Sequence, residues 1–375
     1  MNKIDFWVCP LDYQQLEFQS ESSLICTHCR TEYPVIQSKY GSIPCLLPPP
    51  RDQIWVSDPG MYFPEAWQLA NDLAKTPGTF KDLVNAYYEY LRPNIAPELF
   101  DYYKNITLAR QVTPTSDEVC SASVCMDSMN RPFPTPKAIF EIGVGWGFSL
   151  ASTRNVFPNA TYSGVDLCAP ILVLAQRLLH ENGVKETHLA IADCNNSIPV
   201  RSHQFEFVFS ESVVEHIMNQ QVFMKEVDRI LAEHSAFFFS VPARYHLYPE
   251  CHHNIRFLGF LPWFLRRLVI AKRYNLSPEN VEYIFLYSFS EIRHLMEQSF
   301  PNDLLKVKGR YVWPAKYPLR VISKLFPKLS QVGWEALIYR EFLNESPPQK
   351  GKLSFISYPK TLINRVLEKF RIKPI

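Results

Sequence analysis

Short apolar runs recur along the middle of the chain and are separated by segments with helical spacing. Ala138–Ile142 is apolar except for Glu141, and glycines follow at 143, 145 and 147 before a helix-like segment. Ala160–Leu167, Leu189–Cys194 and the run that opens at Phe205 repeat the same length and texture, each closing on polar residues. Ser235–Pro242 is a continuous apolar run ended by proline, as expected of a strand buried on both faces. Phe223–Ala232 has a period near 3.6 and reads as the helix before it. Strands and helices alternating at this spacing predict a doubly wound, mostly parallel α/β domain. Helical pieces are also expected over Tyr62–Ala74, Phe80–Leu91 and Phe289–Phe300. Leu304–Trp313 and Trp334–Phe342 read as a closing antiparallel hairpin. Thr113–Pro136, rich in Ser, Thr and Pro, reads as an irregular loop.

The glycines place chemistry on this frame. A strand, a glycine turn and a helix form a nucleotide site at the edge of a parallel sheet, because a Cβ would keep a ligand from the backbone and such turns often need φ > 0. Asp166 ends the second run, 25 residues after Glu141. A carboxylate there suits a ribose diol, since it can accept from both hydroxyls; it would equally cap a helix starting near Pro170. Asp193 ends the third run and is either an adenine contact or a turn residue.

The spacing is not that of the dinucleotide fingerprint: the third glycine comes one position early, and Phe148 stands where it would be. Glu141-x-Gly143-x-Gly145-x-Gly147 resembles motif I of the class I S-adenosylmethionine-dependent methyltransferases. Phe205–Ile217, with Glu215-His216 at its exit, and the block running on to Pro242 are similar to later segments of that family, with His234-Ser235 where a Gly-Gly turn is usual. The resemblance covers about residues 138–242. It implies a seven-stranded Rossmann-like sheet and S-adenosylmethionine as cofactor, held by Glu141, Gly143, Gly145, Gly147, Asp166, Leu167, Asp193, Cys194 and Ser210.

At the N-terminus, Cys9-Pro-Leu-Asp12 precedes Cys26-Thr-His-Cys29. Two C-x-x-C-type knuckles across a loop mark a zinc ribbon, here with Asp12 in place of one cysteine. The stretch through Pro50 resembles the small zinc-ribbon activators of methyltransferases. Two readings stand: one structural zinc on Cys9, Asp12, Cys26 and Cys29, with His28 as a nearby substitute, or a metal-free ribbon on its own core. The expected organisation is a β module at 1–47, a helical region at 51–137, the methyltransferase domain at 138–345 with an insertion at 243–288, and a basic tail from 346 with a helix over Lys360–Phe370.

Composition narrows the partners. The 375 residues carry 39 basic and 37 acidic side chains, so the net charge of +2 leaves no electrostatic footprint for nucleic acid. Nine unevenly spaced cysteines and the absence of an apolar leader point to a reducing cytoplasm. The segment 255–274 mixes Trp, Phe and Leu with Arg and Lys; it reads as a pocket lid packed on the core or as a peripheral membrane contact. A second basic and aromatic stretch runs from Tyr311 to Lys328. Methyl transfer from a sulfonium needs positioning and, for hydroxyl or amine acceptors, a general base. His252 and His253, in the polar and aromatic loop with Tyr245 and Tyr248, and His216 are the candidates. A small-molecule, lipid-precursor or glycan-linked acceptor is expected. An RNA or protein acceptor with a fused activator, and a non-catalytic cofactor-binding adaptor, are the alternatives. Against the former, Ser210-Glu-Ser-Val213 stands where an N-P-P-Y-type tetrapeptide would be.

Overall fold

The computed structural model describes residues 6–49, 55–56, 61–62, 65–92, 97–133, 135–184, 186–250, 252–281, 284–311 and 331–340. The basic aromatic stretch beyond Tyr311 and the tail with its expected helix lie outside them.

The chain opens with an antiparallel sheet of four strands in sequence order: β1 (Leu16–Ser20), β2 (Ser23–Cys26), β3 (Glu32–Ser38) and β4 (Gly41–Pro44). A two-stranded pair, β5 (Trp55–Val56) and β6 (Met61–Tyr62), leads into helices α1 (Ala66–Lys75), α2 (Phe80–Leu91), α3 (Pro97–Ala109) and α4 (Asp117–Asp127). The main domain follows as β7 (Ala138–Ile142), α5 (Phe148–Val156), β8 (Thr161–Asp166), α6 (Ala169–Glu181), β9 (Thr187–Ile191), β10 (Phe205–Glu211), α7 (Gln220–Ile230) and β11 (Leu231–Pro242). After an insertion bearing α8 (Trp263–Tyr274), α9 (Phe289–Ser299), β12 (Leu304–Tyr311) and β13 (Gln331–Tyr339) complete it.

The seven-stranded sheet has the order β12-β13-β11-β10-β7-β8-β9. Every pair is parallel except β11–β13 and β12–β13, so the expected closing hairpin forms, although β13 starts at Gln331, three residues before Trp334. Strand alternation feeds two layers. Ile139, Phe207, Phe209 and Phe238 pack against α1, α2, α5 and α6 on one face. Phe140, Val208, Phe237 and Phe239 pack with Phe223 and Val227 of α7 and Ile292 and Met296 of α9 on the other. Each buried phenylalanine contributes about 1.5–3 kcal/mol.

The helix expected over Tyr62–Ala74 starts only at Ala66, with Tyr62 in β6, and three further local outcomes depart from the expectations. The loop at 113–136 contains a helix, because the Ser116 hydroxyl accepts from the Val119 N–H and Asp117 and Glu118 occupy the first turn of α4. Strand β11 begins at Leu231, earlier than the apolar run, and His234 takes the left-handed backbone (φ +54°) where the family has Gly-Gly. The expected core-packed lid is not what the insertion makes. Ile270 and Ala271 of α8 pack in a small cluster of their own with Leu258 and Val281. The other face of α8 is open, with Phe264 63% and Leu268 52% exposed.

The N-terminal sheet is joined to the main one by its backbone. The Leu46 N–H donates to the Ile191 carbonyl (2.7 Å), and the Val8 N–H to the Pro199 carbonyl (2.9 Å). The strand edge that β9 would otherwise expose is thereby covered. Ile36 and Ile43 enter one core layer, and Trp7 and Leu24 the other.

Candidate functional site

The strand order reverses beside β7, which lies between β8 and β10, so the crevice at the carboxyl ends of these strands is where a ligand binds in such a sheet. The glycine turn leaves β7 at this point. The Gly143 and Val144 N–H groups both donate to the Val165 carbonyl (2.8 and 3.1 Å), tying the turn to the end of β8.

Its glycines serve different ends. A Cβ on Gly143 would come within 2.1 Å of Val213 Cγ2, so this position is set by packing against the exit of β10. A Cβ on Gly145 would meet nothing within 4 Å, so its φ of +50° and its bare face open onto free space at the sheet edge. The Gly145 N–H donates to Asp166 Oδ2 (2.8 Å), and the Cys168 N–H to Oδ1 (2.8 Å). Asp166 thus ties the glycine turn to the start of α6, the capping role considered for it. Burial raises its pKa against the pull of those N–H donors.

Asp193 lies two residues beyond β9. Its Oδ1 is taken by the Asn195 backbone and side-chain nitrogens (2.9 and 2.7 Å), a turn contact, which was the alternative to the adenine role. Leu167 is half-buried, and Cys194 is buried with its thiol pushed well up by that burial. The Ser210 hydroxyl is buried and makes no hydrogen bond within the protein.

Glu141 is 2% exposed and its Oε2 is likewise unpartnered. Sequence reasoning missed its company. Glu118 arrives from α4 and Glu211 from the end of β10; the Ser149 hydroxyl lies 3.1 Å from Glu118 Oε1 and 3.4 Å from Glu211 Oε2. Burial first, then the Glu118 and Glu211 charges, push the Glu141 carboxyl well up. Burial and the neighbouring Glu118 raise Glu211 to about 7, with Arg310 and Arg110 opposing. Three carboxyls facing one another with modest cationic compensation make an environment that favours a positively charged guest. Ser116 before two acids was the only signal for Glu118, and it marks a helix start, not a site.

The histidine candidates form a second group at the same sheet edge. His216 follows β10 in the single turn Val214–His216; His252 and His253 come from the loop after β11. The rings of His216 and His252 are 5.0 Å apart. Glu250, 2% exposed, binds His252 Nδ1 at 2.6 Å and His253 Nδ1 at 3.0 Å, and accepts from both backbone N–H groups. Burial disfavours its charge, but those hydrogen bonds outweigh burial and hold the carboxyl below the usual range. Glu215 is fully buried and raised to about 7 by that burial, with His216 and His252 opposing. His253 is held by Glu250 through Nδ1, and its ring lies 6.4 Å from that of His252.

In the N-terminal module Cys9, Asp12, Cys26 and Cys29 do converge, with donor atoms within 4.8 Å of one another. Cys9 and Cys29 sulfurs are 3.6 Å apart, and Cys26 Sγ is 3.4 Å from Asp12 Oδ1. His28 Nδ1 sits 3.0 Å from Asp12 Oδ2, beside the cluster. The donor set fits a tetrahedral zinc, with Cys9 and Cys26 buried and Cys29 at the surface.

Residues 140–239 match the family described as a methyltransferase domain. No curated protein matches the chain. Among solved structures, phosphoethanolamine N-methyltransferase 2 of Haemonchus contortus in complex with S-adenosyl-L-methionine is 14% identical, with a TM-score of 0.39 and coverage of 59% of this chain and 52% of its own. A complex between the Haloferax volcanii Trm112 methyltransferase activator and a methyltransferase is 12% identical, with a TM-score of 0.39 and coverage of 56% and 84%. An S-adenosylmethionine-dependent methyltransferase of Aquifex aeolicus is 15% identical, with a TM-score of 0.34 and coverage of 54% and 81%. The chain spans about half the length of the Haemonchus enzyme. Residues 140–239, which carry most of the parallel strands, thus form a methyltransferase domain.

Proposed function

We propose that this domain methylates a small acceptor of lipid-like or glycan-linked character. The observation that carries the cofactor half is the Gly145 turn, open above its backbone and bonded below to Asp166. Asp166 would hold the ribose, and Glu141, Glu118 and Glu211 would favour the cationic end of S-adenosylmethionine, which supplies an already activated methyl group. What remains for the chain is to orient an acceptor and exclude water. His216 and His252 lie on the acceptor side, and His253 with Glu250 positions that loop.

The acceptor class is supported by the near-neutral charge and by the apolar surface of the insertion. Phe257, Phe260, Phe264 and Leu268 are about half exposed or more (50, 47, 63 and 52%), next to the basic residues of α8. No helix among the described residues is long and apolar enough to cross a membrane. An interfacial contact through 255–274 fits this face and would bring the site to a membrane-borne acceptor. The ribbon is proposed to hold one structural zinc. An RNA or protein acceptor is the second reading, favoured by a ribbon built onto the edge of the same sheet.

Methyl-labelled S-adenosylmethionine, supplied to the full chain with metabolite and lipid extracts, separates these readings. Label in the small-molecule or solvent-extractable fraction, insensitive to ribonuclease and protease, is expected. Label lost on either digestion would overturn the acceptor assignment. For the membrane contact, flotation with anionic vesicles should fall several-fold in Phe264→Asp; unchanged flotation would exclude α8.

A further inference from the structure

The group at the exit of β10 contains a carboxylate whose situation the methyl-transfer reading does not explain. Glu215 is 0% exposed, and neither of its oxygens makes a hydrogen bond. A carboxylate buried without a hydrogen bond is strongly disfavoured, so such a group is normally paired, protonated or bound to a metal. The nearest base, His252 Nε2, is 3.6 Å from Glu215 Oε1, too far for a hydrogen bond. It is a suitable separation for two ligands of one ion: donors ~2.1 Å from a metal and roughly 110–120° apart are ~3.5 Å from each other.

The third donor is His216. One ligand atom from each of Glu215, His216 and His252 lies within 4.8 Å of the others. The support behind them is also that of a metal site. Glu250 engages Nδ1 of His252 at 2.6 Å and so turns Nε2 toward Glu215; in the neutral ring Nε2 then carries the lone pair that a metal needs. The two further N–H groups that Glu250 accepts, from His252 and His253, fix the loop that presents the ring. A ring held this way keeps Nε2 at 3.6 Å from Glu215, beyond hydrogen-bond reach.

We propose that Glu215, His216 and His252 bind a divalent metal ion, with Glu250 as the positioning residue for His252. Two imidazoles and a carboxylate, with no thiolate, suit a borderline ion such as Zn²⁺, Fe²⁺ or Co²⁺. Three protein ligands leave at least one position open, and an oxygen of an incoming acceptor is the chemical class that would fill it. Val213, two residues before Glu215, packs on the Gly143 turn, so the site borders the cofactor crevice. The ion site stands on these side chains alone and does not depend on which acceptor is methylated.

Cobalt chloride titrated into the full chain tests this, because Co²⁺ reports its ligands by absorption. The ribbon cluster would give thiolate charge-transfer bands; the proposed site would give visible bands without them. Cys29→Ser, which impairs the ribbon, should keep one Co²⁺ of the second kind. Glu215→Gln, nearly isosteric, and His252→Gln should each weaken that ion at least 10-fold, and Glu250→Gln about 10–100-fold, the usual loss for a residue that orients a ligand. Wild-type protein showing only thiolate-type bands would overturn the site without needing any variant. Affinity unchanged in folded Glu215→Gln would overturn it as well. Neither result bears on S-adenosylmethionine binding, which calorimetry reads separately.

Discussion

The glycine turn after β7 and the histidine group after β10 and β11 share one edge of one sheet, yet they are made differently. The turn is a backbone construction. Its geometry is fixed by consecutive residues, by two N–H groups on the Val165 carbonyl and by a carboxylate that takes the Gly145 N–H. The histidine group is a side-chain construction: Glu215 and His216 meet His252 across 36 residues, held by Glu250. A backbone site constrains residue type at fixed spacing, because only glycine tolerates the conformation or the approach. A side-chain site constrains only which loops meet, and the sheet topology decides that.

The largest expected contrast is within the turn itself. Gly143→Ala drives a Cβ into Val213 at positive φ and should cost about 3 kcal/mol in urea unfolding. A loss below about 1 kcal/mol would show that the turn yields more easily than its packing suggests. The acid cluster comes next. Glu211 has a folded pKa near 7, above its ordinary value of 4.5, so the folded state binds the extra proton between those values. Its contribution is fully present below pH 4.5 and is lost as pH rises through 7, on the order of 2 kcal/mol after allowing for partial exposure. Stability measured from pH 5 to 8 should therefore fall less in Glu211→Gln than in wild type; parallel curves would remove Glu211 from the account.

Smaller is the fold cost of Gly145→Ala, about 1 kcal/mol from positive φ alone, since its Cβ meets nothing. S-adenosylmethionine affinity should nevertheless drop more than ~10-fold, because the methyl occupies the open face. A variant that binds as wild type does would place the ligand elsewhere. Smallest is Leu268→Ser on exposed α8, within about 0.5 kcal/mol of wild type by thermal unfolding. A larger loss would mean that this face is covered in solution.

Legibility followed the same division. The strands from Ala138 to Pro242, the closing hairpin, the turn and Asp166 could be read because period and glycine spacing are local. The meeting of Cys9, Asp12, Cys26 and Cys29 could be read because knuckle spacing is local too. Helix α4 was missed since its segment, flanked by Ser, Thr and Pro, is only weakly amphipathic and its start is set by the Ser116 cap. With it went Glu118, and so the acid cluster. The reading of 255–274 as a core-packed lid failed because its apolar residues fall on both faces of α8, and only two or three of them find a partner surface. Glu250 stood beside His252-His253 in the sequence, but nothing local says that its carboxylate turns back onto both rings.

The central claim is that Asp166 and the Gly145 turn form the cofactor site. Calorimetry of S-adenosylmethionine binding to the full chain, in wild type and in Asp166→Ala, tests it most directly. Loss of charge-assisted hydrogen bonds to the ribose should weaken binding about 30-fold or more in a variant that still folds. No binding to folded wild type, or equal affinity in Asp166→Ala, would contradict the claim.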